Sequence, residues 1–298
     1  MSIDDFGKYL DSERKCSKHT ARAYLADLRA FEQFYTVEFE GHQIVSASYA
    51  LIRNWLVSLV ESGISARSIN RKAAALKAYY SYCLRLGCIS VNPMAVHKPL
   101  KYNRNVEIPF SESEMEQLLH AFPCAHTYED FRDQMLIELL YATGIRRAEL
   151  IGLQIEDVDL QGGLIKVLGK RNKERLLPLI PAVAARLQAY LEMRRESFPN
   201  LSSTSLFLTV TGNKIYDSLV YRVIKRYLRE VSDKSKISPH VLRHTFATHL
   251  LNKGANINAV KDLLGHASLA STQVYTHNSI AELMRIHEKA HPRNLEIE

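Results

Sequence analysis

Residues 238–254 read SPHVLRHTFATHLLNKG and carry the densest set of chemically useful side chains in the protein. Ser238 is a good helix N-cap and Pro239 suits the first helical position, so a helix is expected to start here. His240, Arg243 and His244 then fall at i, i+3 and i+4 on the first turns of one helix face. Helix N-termini present unpaired N–H groups and partial positive charge, where anions settle. An arginine fork and an imidazole at that place can hold a phosphate from two directions. The plainer reading is a helix start with a surface arginine and a histidine at the core edge, and on this segment alone both readings stand.

Three other segments add reactive side chains. In DLLGHASLASTQVYTH, Gly265 can end a helix in the left-handed conformation, which leaves His266 on a rigid corner and Tyr275 in a polar stretch beyond it. The chain has 15 tyrosines, so Tyr275 taken alone reads first as a packing residue. YATGIRRAEL places Arg146 just after a glycine turn that opens a new helix, with Glu149 three residues on. The run GKRNKER offers Lys173, which taken alone is one of several solvent lysines.

The elements that must position these residues follow from periodicity. Residues 1–91 read as helices only. Ser17 can cap a helix carrying Ala21, Tyr24, Leu25, Leu28, Phe31 and Phe34 or Tyr35 at the 3.6-residue period. A second helix carries Ile52, Trp55, Leu56 and Leu59, and Gly63 stops it. A third runs from near Ser65 to Gly87, with Ile69, Ala73, Leu76, Tyr80, Cys83 and Leu84 on its apolar side. Its opposite side presents Arg67, Asn70, Arg71, Ala74 and Lys77, a stripe that can track a phosphate backbone or be an ordinary solvated face. From residue 92 to 109 the pattern lapses into Pro93, Pro99 and the basic KYNRN, which reads as a linker. Residues 110–298 form the second domain. SESEMEQLL is a capped helix start, MLIELLYATG a buried helix, LIKVL and RLLPL a β-hairpin around GKRNKE, and LFLT at 206–209 a further short strand. The fold class expected is mainly α in two domains, an all-helical N-terminal one and a mostly helical one with a small antiparallel sheet.

Composition narrows the function classes. The 298 residues are 46% hydrophobic and 24% charged, as in an ordinary globular protein, with no apolar run long enough to span a membrane. The opening MSIDDFGKYL is acidic and amphipathic, unlike a secretory signal, and Cys16, Cys83, Cys88 and Cys124 show no metal-ligand or disulfide spacing. A cytoplasmic location and no metal are expected. The net charge of +7 is uneven: residues 1–105 hold 15 Lys and Arg against 9 Asp and Glu, whereas residues 106–298 hold 24 against 23. A basic N-terminal part suits a polyanion partner.

TGIRRAEL, GKRNKER, HVLRH, LGH and VYTH occur in that order, and together they resemble the tyrosine recombinase (phage-integrase-like) family. The resemblance covers nearly the whole chain, and the ending AHPRN is similar to that of the bacterial Xer recombinases. It implies a DNA-binding domain at 1–91, a linker at 92–109, and a catalytic domain at 110–298 whose C-terminal part, roughly 280–298, contacts a neighbouring subunit. Residue by residue it implies a catalytic set of Arg146 (with Arg147 beside it), Lys173 (with Lys170 as the alternative), His240, Arg243, His266 and the nucleophile Tyr275. Glu149 matches the family's supporting acidic residue, and Ala148 stands where a serine is common.

The chemistry so implied is attack of a phenol on a DNA phosphodiester, leaving a 3′-phosphotyrosyl link. A phenol of pKa about 10 is only about 0.1% ionised at neutral pH, so its proton needs an acceptor. His240 is assigned that role and His266 a hydrogen-bond donor to the transition state, a division the sequence leaves open. Arg146 and Arg243 are to hold the two non-bridging oxygens, and Lys173 is to protonate the leaving 5′ oxygen. No cofactor is expected, because the phosphotyrosyl ester conserves the energy of the broken bond. The partners implied are double-stranded DNA and a homo- or hetero-tetramer on paired sites, with a second Xer-type recombinase and a DNA-translocating division ATPase as further candidates and no membrane. The activity expected is Xer-type resolution of chromosome or plasmid dimers; the alternatives are a mobile-element integrase and a type IB topoisomerase. A DNA-binding protein with a decayed site fits poorly with six intact positions.

Overall fold

The computed structural model describes residues 2–14, 16–38, 43–102, 107–122, 127–169, 174–265 and 277–294. The chain divides into two compact units, Met1–Asn105 and Val106–Glu298.

Among its described residues the regular structure of the first unit is helical: α1 (Ile3–Ser12), α2 (Lys18–Glu38), α3 (Tyr49–Glu61) and α4 (Ala66–Arg85). The last three are the helices expected from periodicity, with Ser17 and Ser65 hydroxyls capping the starts of α2 and α4. Helix α1 is additional, opened by a reciprocal capping box between Ser2 and Asp5. Phe6, Leu10, Leu28, Phe31, Ile52, Trp55, Leu76, Tyr79 and Tyr80 form one core. Met94, beyond α4, is buried in that core, and the Asn70 amide brackets the backbone of Leu100, donating to its carbonyl and accepting from its N–H at 2.8 Å each.

The second unit opens with α5 (Glu112–His120), α6 (Tyr128–Thr143) and α7 (Arg147–Gly152). A three-stranded antiparallel sheet comes next, in the order β1 (Val158–Asp159), β2 (Leu164–Leu168), β3 (Glu174–Pro178). In the β2–β3 hairpin Ile165 pairs with Leu177 and Val167 with Arg175. Helices α8 (Pro181–Ser197), α9 (Asp217–Val231), α10 (Pro239–Asn252), α11 (Ile257–Leu264) and α12 (His277–Ala290) complete it. The run LFLT does not form a strand. Leu206, Phe207 and Leu208 are all buried, and only isolated bridges at Ser205 and Leu208 join them to neighbours.

Helix α6 is the hub. Every residue from Arg132 to Thr143 is buried, and α8, α9 and α10 pack around it. A helix buried on all sides has no polar face to show solvent. Its charged residues are matched locally, Arg132 with Asp133 and Glu129, and Glu138 with Arg186 and Arg293. Gly144 ends α6 in the left-handed conformation (φ 59°), and a Cβ there would stand 2.3 Å from the Phe246 ring of α10. Glycine is therefore required on both counts. The site residues are arranged around this end of α6. Among the described residues no helix is long and apolar enough to cross a membrane.

Candidate active site

Two residues beyond Gly144, Arg146 stands at the N-cap of α7. Glu149, in the first turn, accepts from the Arg146 backbone N–H at 2.9 Å and from its Nη1 at 2.8 Å. The TGIRRAEL spacing thus folds as the sequence suggests, with backbone and side chain of one arginine held by one carboxylate. A second arginine grips the same carboxylate. Arg175 of β3 donates Nη1 to Oε1 and Nη2 to Oε2, both at 2.8 Å, a bidentate fork.

Helix α11 ends here too. Gly265 closes it with φ 62°, leaving its last carbonyls without intrahelical partners. Three arginines from three elements take three consecutive ones. Arg175 Nε donates to Leu263 O at 3.1 Å, Arg243 Nη2 to Leu264 O at 2.5 Å, and Arg146 Nη2 to Gly265 O at 2.9 Å. Arg243, on α10, also donates Nη1 to Gly144 O at 2.5 Å. Cationic side chains suit a helix C-terminus, where the aligned peptide dipoles leave partial negative charge. The end of α6, the start of α7, β3, α10 and the end of α11 are thereby laced together by guanidiniums.

The electrostatics are unbalanced, because three guanidiniums surround a single carboxylate. Burial pushes the Glu149 carboxyl up, but the Arg175 fork and the Arg146 side-chain and backbone donors outweigh it and hold the group at about 2. Burial, and then the neighbouring Arg146 and Arg175 charges, bring Arg243 down to about 10 against the opposing pull of Glu149. Arg243 remains charged at neutral pH, and the surplus of guanidiniums around one carboxylate suits an anion. Which of them can reach a ligand is decided by exposure: the Arg146 side chain is 37% exposed and Arg243 half-buried, whereas that of Arg175 is 6% exposed.

Helix α10 starts as its sequence predicts, with the Ser238 hydroxyl accepting from Val241 N–H and Pro239 in the first turn. His240 and His244 are exposed on the turns that carry Arg243, and both lie near enough to Glu107 to lower that carboxyl, after its main partner Lys236. Arg146, Arg243 and Glu149 are thus brought together, and His240 sits one helical turn from Arg243. Lys173, its alternative Lys170, His266 and Tyr275 lie outside the described residues. In the first unit Arg67 and Lys77 are exposed on α4. Asn70 is engaged with Leu100, and Arg71 and Lys72 both pair with the buried Asp27.

Arg175 is the residue that sequence reasoning missed. Within GKRNKER it looks like one more solvent-facing cation. The available signal is strand alternation: Arg175 lies two residues before the inward-facing Leu177, so it shares that face. It supports the site by holding Glu149 and the end of α11, and a Cβ on Gly265 would come within 3.0 Å of it.

Comparison with known proteins gives the chain its family. Residues 3–87 match the N-terminal SAM-like domain of phage integrases, and residues 100–282 match the phage integrase family itself. Tyrosine recombinase XerC of Pelobacter propionicus is 38% identical over 98% of this chain and 95% of its own. Tyrosine recombinase XerD of Shewanella oneidensis is 36% identical over 98% and 96%. Among solved structures, the XerH site-specific recombinase bound to palindromic difH substrate superposes with a TM-score of 0.73 at 22% identity, over 99% of this chain and 83% of that one. The Tn1549 transposon integrase in complex with transposon right end DNA gives 0.70 at 23%, over 96% and 99%. The two structures share the fold. The chain belongs to the phage integrase family of site-specific tyrosine recombinases, enzymes that cleave and rejoin DNA, and within it to the Xer type.

Proposed function

We propose that Arg146 and Arg243 hold the two non-bridging oxygens of one DNA phosphate while the Tyr275 phenol attacks the phosphorus. The O–P bond to tyrosine forms as the P–O5′ bond breaks. The phenolic proton passes to His240, Lys173 gives a proton to the departing 5′ oxygen, and His266 donates a hydrogen bond to the equatorial oxygens. Glu149 holds Arg146 in place. The observation that carries this reading is the anchoring of Arg146 and Arg243 on consecutive carbonyls, Gly265 and Leu264, which makes the two forks neighbours at the residue before His266. Resealing by a hydroxyl of a second duplex gives strand exchange without ATP.

In this reading residues 1–91 bind duplex DNA, with Arg67, Asn70, Arg71 and Lys77 of α4 along the backbone, residues 92–109 connect, and residues 110–298 cut. The exposed Arg67 and Lys77 suit direct phosphate contact; Asn70 and Arg71, already bonded to Leu100 and Asp27, suit a role in shaping that face. Exchange requires a tetramer on paired sites, homomeric or with a second Xer-type recombinase. The segment 280–298 contacts a neighbouring subunit, with the exposed side of α12 as the part of it free to do so. The cellular task is resolution of chromosome or plasmid dimers in the cytoplasm, in concert with a DNA-translocating division ATPase.

A nicked suicide duplex carrying the host's dimer resolution site tests this. The wild-type protein should yield a covalent protein–DNA band on a denaturing gel, with the DNA on Tyr275. Tyr275→Phe should bind equally and yield none; a persisting band would show that another residue is the nucleophile.

A further inference from the structure

The ending AHPRN has a place in the fold that the cleavage chemistry does not use. His287 and His291 are fully buried, and both present Nε2 to the last turn of α6: His287 to Ala142 O at 2.7 Å and His291 to Tyr141 O at 3.4 Å. The Arg293 backbone N–H donates to His291 Nδ1 at 3.2 Å, which fixes that ring as a neutral donor at Nε2. One turn earlier on α6, Glu138 accepts from Arg293 Nε and Nη2 at 3.3 and 3.2 Å. The C-terminal segment therefore runs along the end of α6 with three side chains, in its own subunit.

These partners answer a need that every helix end creates. The final carbonyls of α6 have no intrahelical donors, and this end is buried away from water. Gly144 N–H takes Leu140 O, Arg243 takes Gly144 O, and of the three carbonyls between them the C-terminal histidines take two, Tyr141 O and Ala142 O. The rings also make a packed column. His287 and His291 lie 5.3 Å apart, and each is 5.9 Å from Phe246, the ring that fills the space above Gly144. Ala142 is four residues from Arg146, so whatever fixes its carbonyl fixes the turn from which Arg146 projects.

We infer that His287, seconded by His291 and Arg293, is a positioning residue for strand cleavage: by capping Ala142 at the end of α6 it sets the orientation of Arg146 toward the phosphate. This rests on the phosphate role proposed for Arg146. The test is single-turnover cleavage of the nicked duplex at saturating protein, with DNA affinity measured separately, for His287→Leu, His287→Gln and Arg146→Ala in the full chain. Leucine removes the donor and leaves the Ala142 carbonyl unpaired, so the maximal rate should fall by about tenfold or more while affinity changes by less than about threefold. Glutamine keeps an N–H donor and should restore most of the rate. In the Arg146→Ala background, His287→Leu should cost little more, because the loss runs through a residue already removed.

A wild-type rate for His287→Leu, or an equal loss with and without Arg146, overturns the inference and leaves the phosphate role of Arg146 standing. A wild-type rate for Arg146→Ala overturns that role and this inference with it. Should His287→Leu not fold, Arg293→Gln at the half-buried end of the ladder carries the same comparison, with the same outcomes expected in smaller measure.

Discussion

Replacing Glu149 by glutamine isolates the charge that organises the arginine cluster. The carboxylate accepts two bonds from Arg175 and two from Arg146, and its pKa lies at about 2 in place of the ordinary value of 4.5. A depression of that size corresponds to roughly 3 kcal/mol favouring the ionised form in the folded protein. Glutamine keeps the shape but loses the charge, and its amide N–H groups face donors. The variant should therefore be less stable at pH 7 by about 3 kcal/mol, in keeping with the cost of breaking a buried ion pair. For a unit of this size that is a fall in Tm of about 6–12 °C, read by calorimetry. The sign with pH is fixed: the folded pKa is depressed, so the contribution is full above the unfolded value near 4.5 and is lost as pH falls toward 2. The gap between wild type and Glu149→Gln should accordingly narrow below pH 4.5. A gap below about 2 °C at pH 7, or one unchanged from pH 7 to pH 3, would refute the idea that this carboxylate holds the cluster.

Two further outcomes are expected. Lys173→Ala should slow cleavage by about 10²–10⁴ on normal DNA and recover on DNA with sulfur at the 5′ bridging position, since a thiolate leaves without a proton; failure to recover would shift the role to Lys170. Burial lowers His287 to about 4, with the Ala142 carbonyl pulling weakly the other way, so the unfolded chain takes up that proton first. Its contribution is full above about 6.5 and falls toward pH 4, with roughly 2 kcal/mol gone by pH 5, so His287→Gln should flatten the fall in urea midpoint between pH 7 and 5. An undiminished fall in that variant would place the acid sensitivity on other groups.

Local pattern made much of the site legible. The Ser238–Pro239 start of α10, the left-handed Gly144 and Gly265, Arg146 with Glu149 in the first turn of α7, and the β2–β3 hairpin all depend on neighbours within a few residues, which capping and periodicity report. Helix α1 was present in the amphipathic opening, whose Ser2 and Asp5 have capping-box spacing. What the sequence could not display is the inward use of polar side chains. Arg175 reads as part of a basic turn, yet it meets Glu149 across 26 residues and Leu263 across 88. His287 reads as a tail residue, yet it caps a carbonyl 145 residues away. Hydrophobic periodicity carries no information about which distant carbonyl an arginine or a neutral imidazole will satisfy. The run LFLT misled for a related reason: continuous apolar character marks burial, and a strand also needs a partner to pair with along its length.

Arg146 and Arg243 are proposed to act together on the charge of one phosphate, and every other catalytic role depends on that pairing. Single-turnover cleavage by Arg146→Ala and Arg243→Ala should be compared on two nicked duplexes, one normal and one with a methylphosphonate at the scissile position, which lacks a charged non-bridging oxygen. Each variant should lose about 10²–10³ on the phosphodiester, and at least one should lose less than about tenfold on the methylphosphonate, where less charge needs balancing. Equal losses on the two substrates for both variants would contradict the joint action of the two arginines.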